Sequence, residues 1–478
     1  MAKKINMTTR RELLKTGLYA AGAVALGPYT RILGSNDDVR IAVIGFRGRG
    51  GGLMSSFEGI DGVKVVALCD VDQGVLDREA AKRPGVFATR DLREIMDRQD
   101  VDAVVCAAPN HWHSLVTVWA CQAGKDVYIE KPVSHSIWEG RKMVEAARKY
   151  DRVVAAGFQN RSDAGLVPFM QYLHAGNIGK VTAVRGLCYR SRGGIGLRQT
   201  PLTPPENVDY DLWLGPAADL PMMRNQFHYD WHWIWNTGNG DVGNQGPHEL
   251  DLMRWALNDP AHPRSVRSLG GRFVWGDAGE TPNTLITKFD FDGVPGIFEV
   301  NDIPNGRNSQ NYRGVGVGVI ITCEGGEFRG GRGGGKVYDR DGRLIKDFPG
   351  DSGGRHQANF IDAVRSRDSG ILTSEIENGH ASTVLAHLAN ISYRAGSLAQ
   401  SSSVKQIGRE DGAIADAIVR YEERLSDNGV DLGDTPWRLG PKLTFDGGSE
   451  RFVGRMSSAG NWMIKRNYRK PFVVPDKV

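Results

Sequence analysis

A glycine-rich turn and an acid some way beyond it are the first residues whose types and spacing suggest chemistry. The stretch Arg40-Ile41-Ala42-Val43-Ile44-Gly45-Phe46-Arg47-Gly48-Arg49-Gly50 places glycines directly after an apolar run. A strand, a tight turn and a helix in that order aim the free N–H groups of the helix's first turn at a phosphate, together with the positive end of its dipole. The pattern approaches Gly-x-Gly-x-x-Gly, with Gly45 and Gly50 in the first and third places. Arg47 occupies the second place, where a side chain crowds a pyrophosphate, so Gly48 is expected to take over that role. Phe46 and Arg49 complete the candidate cofactor loop. The next apolar run, 64–69, ends in Asp70, 25 residues after Gly45. An acid at this place accepts hydrogen bonds from ribose hydroxyls and repels the extra phosphate of NADP, so NAD is the expected cofactor. Arg47 and Arg49 offset part of that repulsion, which keeps NADP admissible.

A second cluster, Phe227-His228-Tyr229-Asp230-Trp231-His232-Trp233-Ile234-Trp235-Asn236, gathers seven aromatic or histidine side chains around one Asp. Two readings stand side by side. One is a platform for a carbohydrate, contacted by His228, Asp230, Trp231, His232 and Trp235. The other is an aromatic plug in a seam between domains, since aromatics dominate cores and interfaces as well. His228, Asp230 and His232 have the residue types of a metal site, but no further clear ligand accompanies them and no metal is expected. Arg161, just after Gly157-Phe158-Gln159-Asn160, is a further substrate candidate at the expected domain hinge.

The elements that must position these residues follow from hydropathy patterning. Short apolar runs at 40–44, 64–69, 103–108, 126–129 and 153–158 alternate with helix-like segments at 75–81, 92–98, 115–123 and 137–150. Continuous apolar strands between amphipathic helices predict a parallel, doubly wound sheet covered on both faces. This is a Rossmann domain over 36–158. Strand-like runs at 181–189, 266–275, 284–291, 296–301 and 319–324 are joined by turns, which predicts an antiparallel sheet in a second α/β domain over 159–398. Its helical pieces at 357–367 and 375–395 are expected to return toward the first domain. The loop-rich stretch 191–240 is too long for an ordinary connection, which favours a functional loop. Residues 399–478 form a C-terminal extension.

The chain has 478 residues with 60 basic and 56 acidic side chains, a net charge of +4. So small an excess points to no nucleic-acid partner. The five cysteines form no Cys-x-x-Cys pair and read as small core residues. At the N-terminus, Thr9-Arg10-Arg11-Glu12-Leu13-Leu14-Lys15 precedes a short, weakly apolar run over 16–29. That order resembles a twin-arginine export signal. Residues 1–35 are therefore expected to engage export machinery and deliver the protein to the periplasm, anchored to the membrane wherever the signal is not cleaved.

Three further motifs appear in order: Pro109-Asn110-His111-Trp112-His113, Glu130-Lys131-Pro132, and Gly240-Asp241-Val242-Gly243-Asn244-Gln245-Gly246-Pro247-His248-Glu249-Leu250-Asp251. After a Rossmann start, this set resembles the Gfo/Idh/MocA family over about residues 38–400. The resemblance implies a Rossmann domain followed by an α/β domain with a large, mostly antiparallel open sheet, and hydride transfer between sugar or cyclitol hydroxyls and a nicotinamide. It places Pro109, Asn110, His113, Glu130 and Lys131 around the cofactor. It also implies that Lys131 lies near the reacting hydroxyl and that His248 is an acid/base. Asn244 falls where many members carry an aspartate, and an amide cannot stabilise an imidazolium as a carboxylate does. A homo-oligomer, formed through the outer face of the second-domain sheet, is implied by the same analogy.

The expected activity is NAD-dependent oxidation of a ring hydroxyl of a sugar or sugar derivative. The alternative is a redox-neutral NAD-dependent glycoside hydrolase or lyase that oxidises, eliminates, hydrates and reduces again. A third reading is a non-catalytic carbohydrate-binding protein.

Overall fold

In the computed structural model, residues 38–304, 311–433 and 435–478 are described; the expected export segment 1–35 lies outside them. No helix of the described residues is long and apolar enough to cross a membrane.

The first half builds six parallel strands: β1 (Val39–Ile44), β2 (Val63–Cys69), β3 (Phe87–Thr89), β4 (Ala103–Cys106), β5 (Asp126–Ile129) and β6 (Val154–Ala156). Their order is β3-β2-β1-β4-β5-β6, so the chain reverses direction across the sheet between β1 and β4. In such a sheet the ligand crevice lies at this switch point, beyond the carboxyl ends of the strands. The strands β4, β5 and β6 are buried throughout, as their unbroken apolar sequences require. Helices Gln73–Ala80, Leu92–Asp97 and Ile137–Lys149 start on the side-chain caps Asp72, Asp91 and Ser136. The helix Arg49–Glu58, after the glycine turn, starts on Gly48 with no side-chain cap and no acid in its first turn. Its leading N–H groups and dipole are thus left for an outside anion.

The second sheet has twelve strands among the described residues. Its centre is β7 (Val181–Tyr189), β8 (Ser265–Gly271), β9 (Thr284–Phe291), β10 (Val294–Asn301) and β11 (Val317–Cys323). The order runs β11-β7-β10-β9-β8, with every one of these pairs antiparallel except β7 and β10. That parallel pair arises because the long connection after Tyr189 carries the chain across the molecule before it re-enters the sheet. Three further strands, β12 (Gly326–Gly331), β13 (Gly334–Asp339) and β14 (Leu344–Pro349), extend one edge as hairpins where the sequence reading had placed none. The glycine-rich composition of β12 and β13 hides the usual alternation.

Alternation along the central strands serves two cores. Val184, Cys188, Leu285, Phe289, Phe298, Val300, Val319 and Ile321 face helices Gly246–Ala256 and Ile376–Arg394. Leu187, Leu269, Ile286, Ile297 and Ile320 face the opposite way, onto Ile414, Ile418, Tyr421 and Leu425 of helix Gly412–Asp427. Thus the sheet's outer face, on which the expectation of a homo-oligomer rested, is covered by the chain's own extension. The rest of the extension adds β15 (Ser397–Ala399), β16 (Trp437–Leu439), β17 (Leu443–Asp446) and β18 (Arg451–Val453) next to β8. Residues 462–478 then run back to the Rossmann sheet, where Phe472, Val474 and Val478 join the core around Trp112 and Leu115. Helix His356–Ser366 packs Phe360 and Ile361 beneath β1, so the helices after the second sheet do return to the first domain.

Candidate active site

The glycine turn is built as its sequence demands. Gly45 has φ +71°, and a Cβ there would sit 2.8 Å from the backbone of Ala108, while one on Gly50 would sit 1.9 Å from the Gly45 carbonyl oxygen. Gly48, with φ +51°, faces open space, so the chain can approach a ligand at this point. The Arg47 side chain is drawn aside, its guanidinium donating to Asp72 at 2.8 Å. Asp70 is buried, and its carboxylate accepts the N–H groups of Phe46 (3.1 Å) and Asp72 (3.0 Å). The acid therefore braces the turn while lining the crevice, and burial raises its pKa above the usual carboxylate value.

A cavity of about 480 Å³ runs from this turn to the second domain. Of the residues expected around the cofactor, Gly45, Arg47, Gly48, Arg49, Asp70, Pro109, Asn110, Glu130 and Lys131 line it. His113 does not; both its ring nitrogens lie 2.7 Å from backbone carbonyls, those of Ala108 and Pro132, and it braces the turn after β4. Phe46 is buried beneath the loop, and Gly50 sits behind it. Arg49 donates to Glu130 at 2.8 Å, and Gln159 adds a second hydrogen bond to the same oxygen at 3.1 Å. Burial pushes the Glu130 pKa up, but the Arg49 and Lys131 charges outweigh it and hold the group below its usual value. Arg47 and Arg49 are thus each paired with an acid through one nitrogen while still lining the cavity. An uncapped helix N-terminus, an open glycine turn and a strand-end acid in one crevice fit a nicotinamide dinucleotide, and the acid favours NAD.

Lys131 follows β5 and is joined to Pro132 by a cis peptide bond. Its ammonium donates to the Asn244 carbonyl at 2.5 Å, and burial lowers its pKa despite the neighbouring Glu130. Asn244 ends the short helix Gly240–Asn244, and its amide donates to Asp241 at 2.8 Å. Asp241 is fully buried and also accepts from Arg192 at 2.8 and 3.1 Å. A carboxylate thus lies three residues before Asn244 and is bound to an arginine. Beside it lie Cys188 and Asp302. Burial, reinforced by the Asp241 charge, raises the Asp302 carboxyl well above its ordinary pKa.

His248 opens helix Gly246–Ala256 and does not line the main cavity. Its ring meets Phe158 edge-on at 6.2 Å, and its Nδ1 is buried with no hydrogen-bond partner among the described residues. Burial and the Lys131 charge lower the imidazole pKa well below its ordinary value.

The aromatic cluster divides between the two readings given for it. His228, Tyr229, Trp231 and His232 line the cavity, with the Trp231 and His232 rings stacked at 3.6 Å. His232 Nδ1 donates to the Tyr229 carbonyl, and burial drops its pKa to about 4. Phe227 and Trp233 are buried, Asp230 is buried off the cavity, and Trp235 packs under the Arg394 guanidinium. The loop is pinned to the first domain at Asp72, which accepts from Asn207 at 2.6 Å and lies 3.3 Å from His228 Nε2.

Arg161, expected to contact substrate, is placed elsewhere. It is buried in paired hydrogen bonds to Asp251 (2.8–2.9 Å) and Asp259 (2.6 and 3.0 Å), with Trp255 against its face. All three of its guanidinium nitrogens are bonded to these carboxylates. Several cavity residues escaped sequence reasoning: Arg90 to Arg93, Trp119, Leu212, Trp213, Gln226 and Phe472. They come from separate elements and form no local motif.

Fold and crevice together define a two-domain, dinucleotide-binding oxidoreductase architecture. Residues 39–158 match the family described as "Oxidoreductase family, NAD-binding Rossmann fold", and residues 180–289 match its "C-terminal alpha/beta domain". The chain belongs to this Gfo/Idh/MocA family. It is similar to a "Glycosyl hydrolase family 109 protein" of Solibacter usitatus, 35% identical over 30% of this chain and 38% of that protein. It is also similar to an inositol 2-dehydrogenase of Salmonella paratyphi B, 32% identical over 42% of this chain and 55% of that one. The matches thus span between about two fifths and just over half of these relatives' own length. Among solved structures, a levoglucosan dehydrogenase in complex with NADH and levoglucosan shares the fold, with TM-score 0.55 and 17% identity over 74% of this chain and 96% of that one. So does the WlbA dehydrogenase of Bordetella pertussis in complex with NADH and UDP-GlcNAcA, with TM-score 0.55 and 19% identity over 73% and 94% of the two chains.

Proposed function

We propose that the protein is an NAD-dependent oxidoreductase acting on a ring hydroxyl of a sugar or sugar derivative. The observation that carries this reading is the position of Lys131. Its buried ammonium lies in the same cavity as the glycine turn and the Trp231–His232 wall. NAD, when bound, supplies the hydride acceptor at C4 of its nicotinamide. The glycine turn, the first turn of helix Arg49–Glu58 and Asp70 would hold it. Lys131 Nζ, already lowered in pKa by burial, donates a hydrogen bond to the substrate hydroxyl and stabilises the alkoxide that forms as its proton leaves. The family resemblance assigns the departing proton to His248, which lies four residues beyond Asn244 in the next helix, with its ring off the cavity wall. Trp231 and His232 offer a flat surface for sugar C–H groups, and the loop that carries them keeps water from the reacting carbon.

The inositol dehydrogenase and levoglucosan dehydrogenase relatives support this reading. The glycosyl hydrolase relative supports a second one, in which the substrate is oxidised, cleaved and reduced again without net redox change. One experiment separates them. Protein purified without nucleotide is denatured and its released nicotinamide assayed, while native protein is incubated with free sugars and with glycosides. NADH that accumulates only with a free sugar and added NAD establishes the dehydrogenase. Free sugar released from a glycoside with no net NADH establishes the redox-neutral reaction. Neither product from any substrate would sink both.

The pair Arg10-Arg11 ahead of a short apolar run supports export by the twin-arginine route to the periplasm. Replacing both arginines by lysine in the full chain should leave the protein in the cytoplasmic fraction.

A further inference from the structure

We infer that the C-terminal segment 462–478 builds the adenosine end of the dinucleotide crevice, and that Phe472 is the residue through which it fixes the adenine ring. The inference rests on the reading of this crevice as an NAD site. In a sheet of this order the pyrophosphate lies at the glycine turn after β1 and a ribose at the acid ending β2. The base must therefore lie beyond Asp70, between the turn after β3 and the turn after β4. The cavity extends there, lined by Arg90 to Arg93 on one side and by Pro109, Asn110 and Trp112 on the other. What closes it comes from neither turn: Phe472, with Trp119 and Leu212, lines the same cavity.

Phe472 is held from several directions. Its ring meets Trp112 edge-on at 5.4 Å, and the Arg469 and Arg93 guanidinium groups lie 5.1 and 5.7 Å from its centre. Val474 and Val478, just beyond it, sit in the core with Leu92 and Leu115. Arg469 then ties the segment to the inserted loop, donating to the Gly215 carbonyl at 2.9 Å and to Asp211 at 2.6 Å. Arg466 donates to the neighbouring Pro216 carbonyl at 3.1 Å. At Gly215, with φ +49°, a Cβ would fall 2.2 Å from the Trp112 ring. The tail, the inserted loop and Trp112 therefore form one packed unit, and that unit is the far wall of the base pocket. A rigid aromatic and apolar wall selects a flat purine and excludes water from its edge.

The test uses the full chain with Phe472→Ala and Phe472→Leu, and measures affinity for NAD, ADP-ribose and nicotinamide mononucleotide by quenching of the cavity tryptophans. Phe472→Ala should weaken NAD and ADP-ribose about tenfold and leave nicotinamide mononucleotide unchanged. Phe472→Leu keeps most of the core volume and should lose less, in the same pattern; it carries the test if the Ala variant does not fold. Unchanged ADP-ribose affinity in a folded variant, or an equal loss for all three ligands, would overturn the assignment. Wild-type protein that binds none of the three would overturn the dinucleotide reading itself, and the role of the tail with it.

Discussion

The ammonium of Lys131 and the backbone carbonyl of Asn244, 113 residues apart in sequence, meet at 2.5 Å. This contact joins the end of β5, in the nucleotide-binding domain, to the short helix that precedes His248. It places a desolvated cation where the dinucleotide crevice opens toward the second domain. Asn244 is held for the purpose by Asp241, and Asp241 by Arg192. The chain Lys131–Asn244–Asp241–Arg192 thus orients one charge through three partners.

Lys131→Ala removes that charge and leaves the glycine turn untouched. Turnover should fall by about 10²–10⁴-fold, while NAD affinity and the melting temperature stay near those of the wild type. Single-turnover kinetics with nucleotide titration checks both. Normal rates in the variant would remove Lys131 from the site.

Gly45→Ala should act on the turn itself. Its Cβ would press on the Ala108 backbone at 2.8 Å, and φ +71° suits an L side chain poorly. A destabilisation of about 1–3 kcal/mol is expected, together with loss of NAD binding, as read by denaturant unfolding and ligand titration. Gly52→Ala, with open space around its Cβ, serves as the control and should bind NAD normally.

Arg161→Ala should damage stability and spare recognition. It leaves Asp251, fully buried, without its cation. Breaking a buried pair from one side costs about 3–5 kcal/mol. The fraction that remains folded should show the wild-type KM; a raised KM at unchanged stability would return Arg161 to the substrate site.

Acid should unfold the protein earlier than its net charge alone suggests. Burial drops His111 and His387 to about 3, and His232 and His356 to about 4. An unfolded chain protonates these groups near about 6.5. Between those values the unfolded state binds more protons, so stability falls as pH drops from about 6.5 toward 4. Glu249 has the opposite sign. Burial raises it to about 8, so its contribution declines as pH rises from its ordinary value toward 8. Four groups outweigh one below pH 6.5, and melting temperatures followed from pH 8 to pH 4 should decline there. A flat profile would show that these histidines are protonated in the folded state.

How much was legible in the sequence depends on the range of the physics involved. The alternation of apolar strands and amphipathic helices is written within windows of ten or so residues, and five of the six Rossmann strands lie within two residues of where hydropathy put them; the short β3, Phe87–Thr89, was missed. The glycine turn is equally local, because Gly45 and Gly50 answer steric demands set by the strand–turn–helix path itself. Lys131 and Asn244 could be singled out one at a time, but not as a pair.

What folding alone decided involves partners brought from far along the chain. Arg161 has the type and place of a ligand-binding residue until Asp251 and Asp259 are seen to engage all three of its guanidinium nitrogens. The Asn244 amide is held by Asp241, itself held by Arg192, which only the helix path shows. The parallel pairing of β7 and β10, the covering of the sheet's outer face by Tyr421 and its neighbours, and the arrival of Phe472 at the nucleotide crevice all follow from the route of long connections. Sequence patterning determines which residues must be buried. Three-dimensional packing decides against what they are buried, because each apolar face accepts many partners and only the whole chain's geometry selects one.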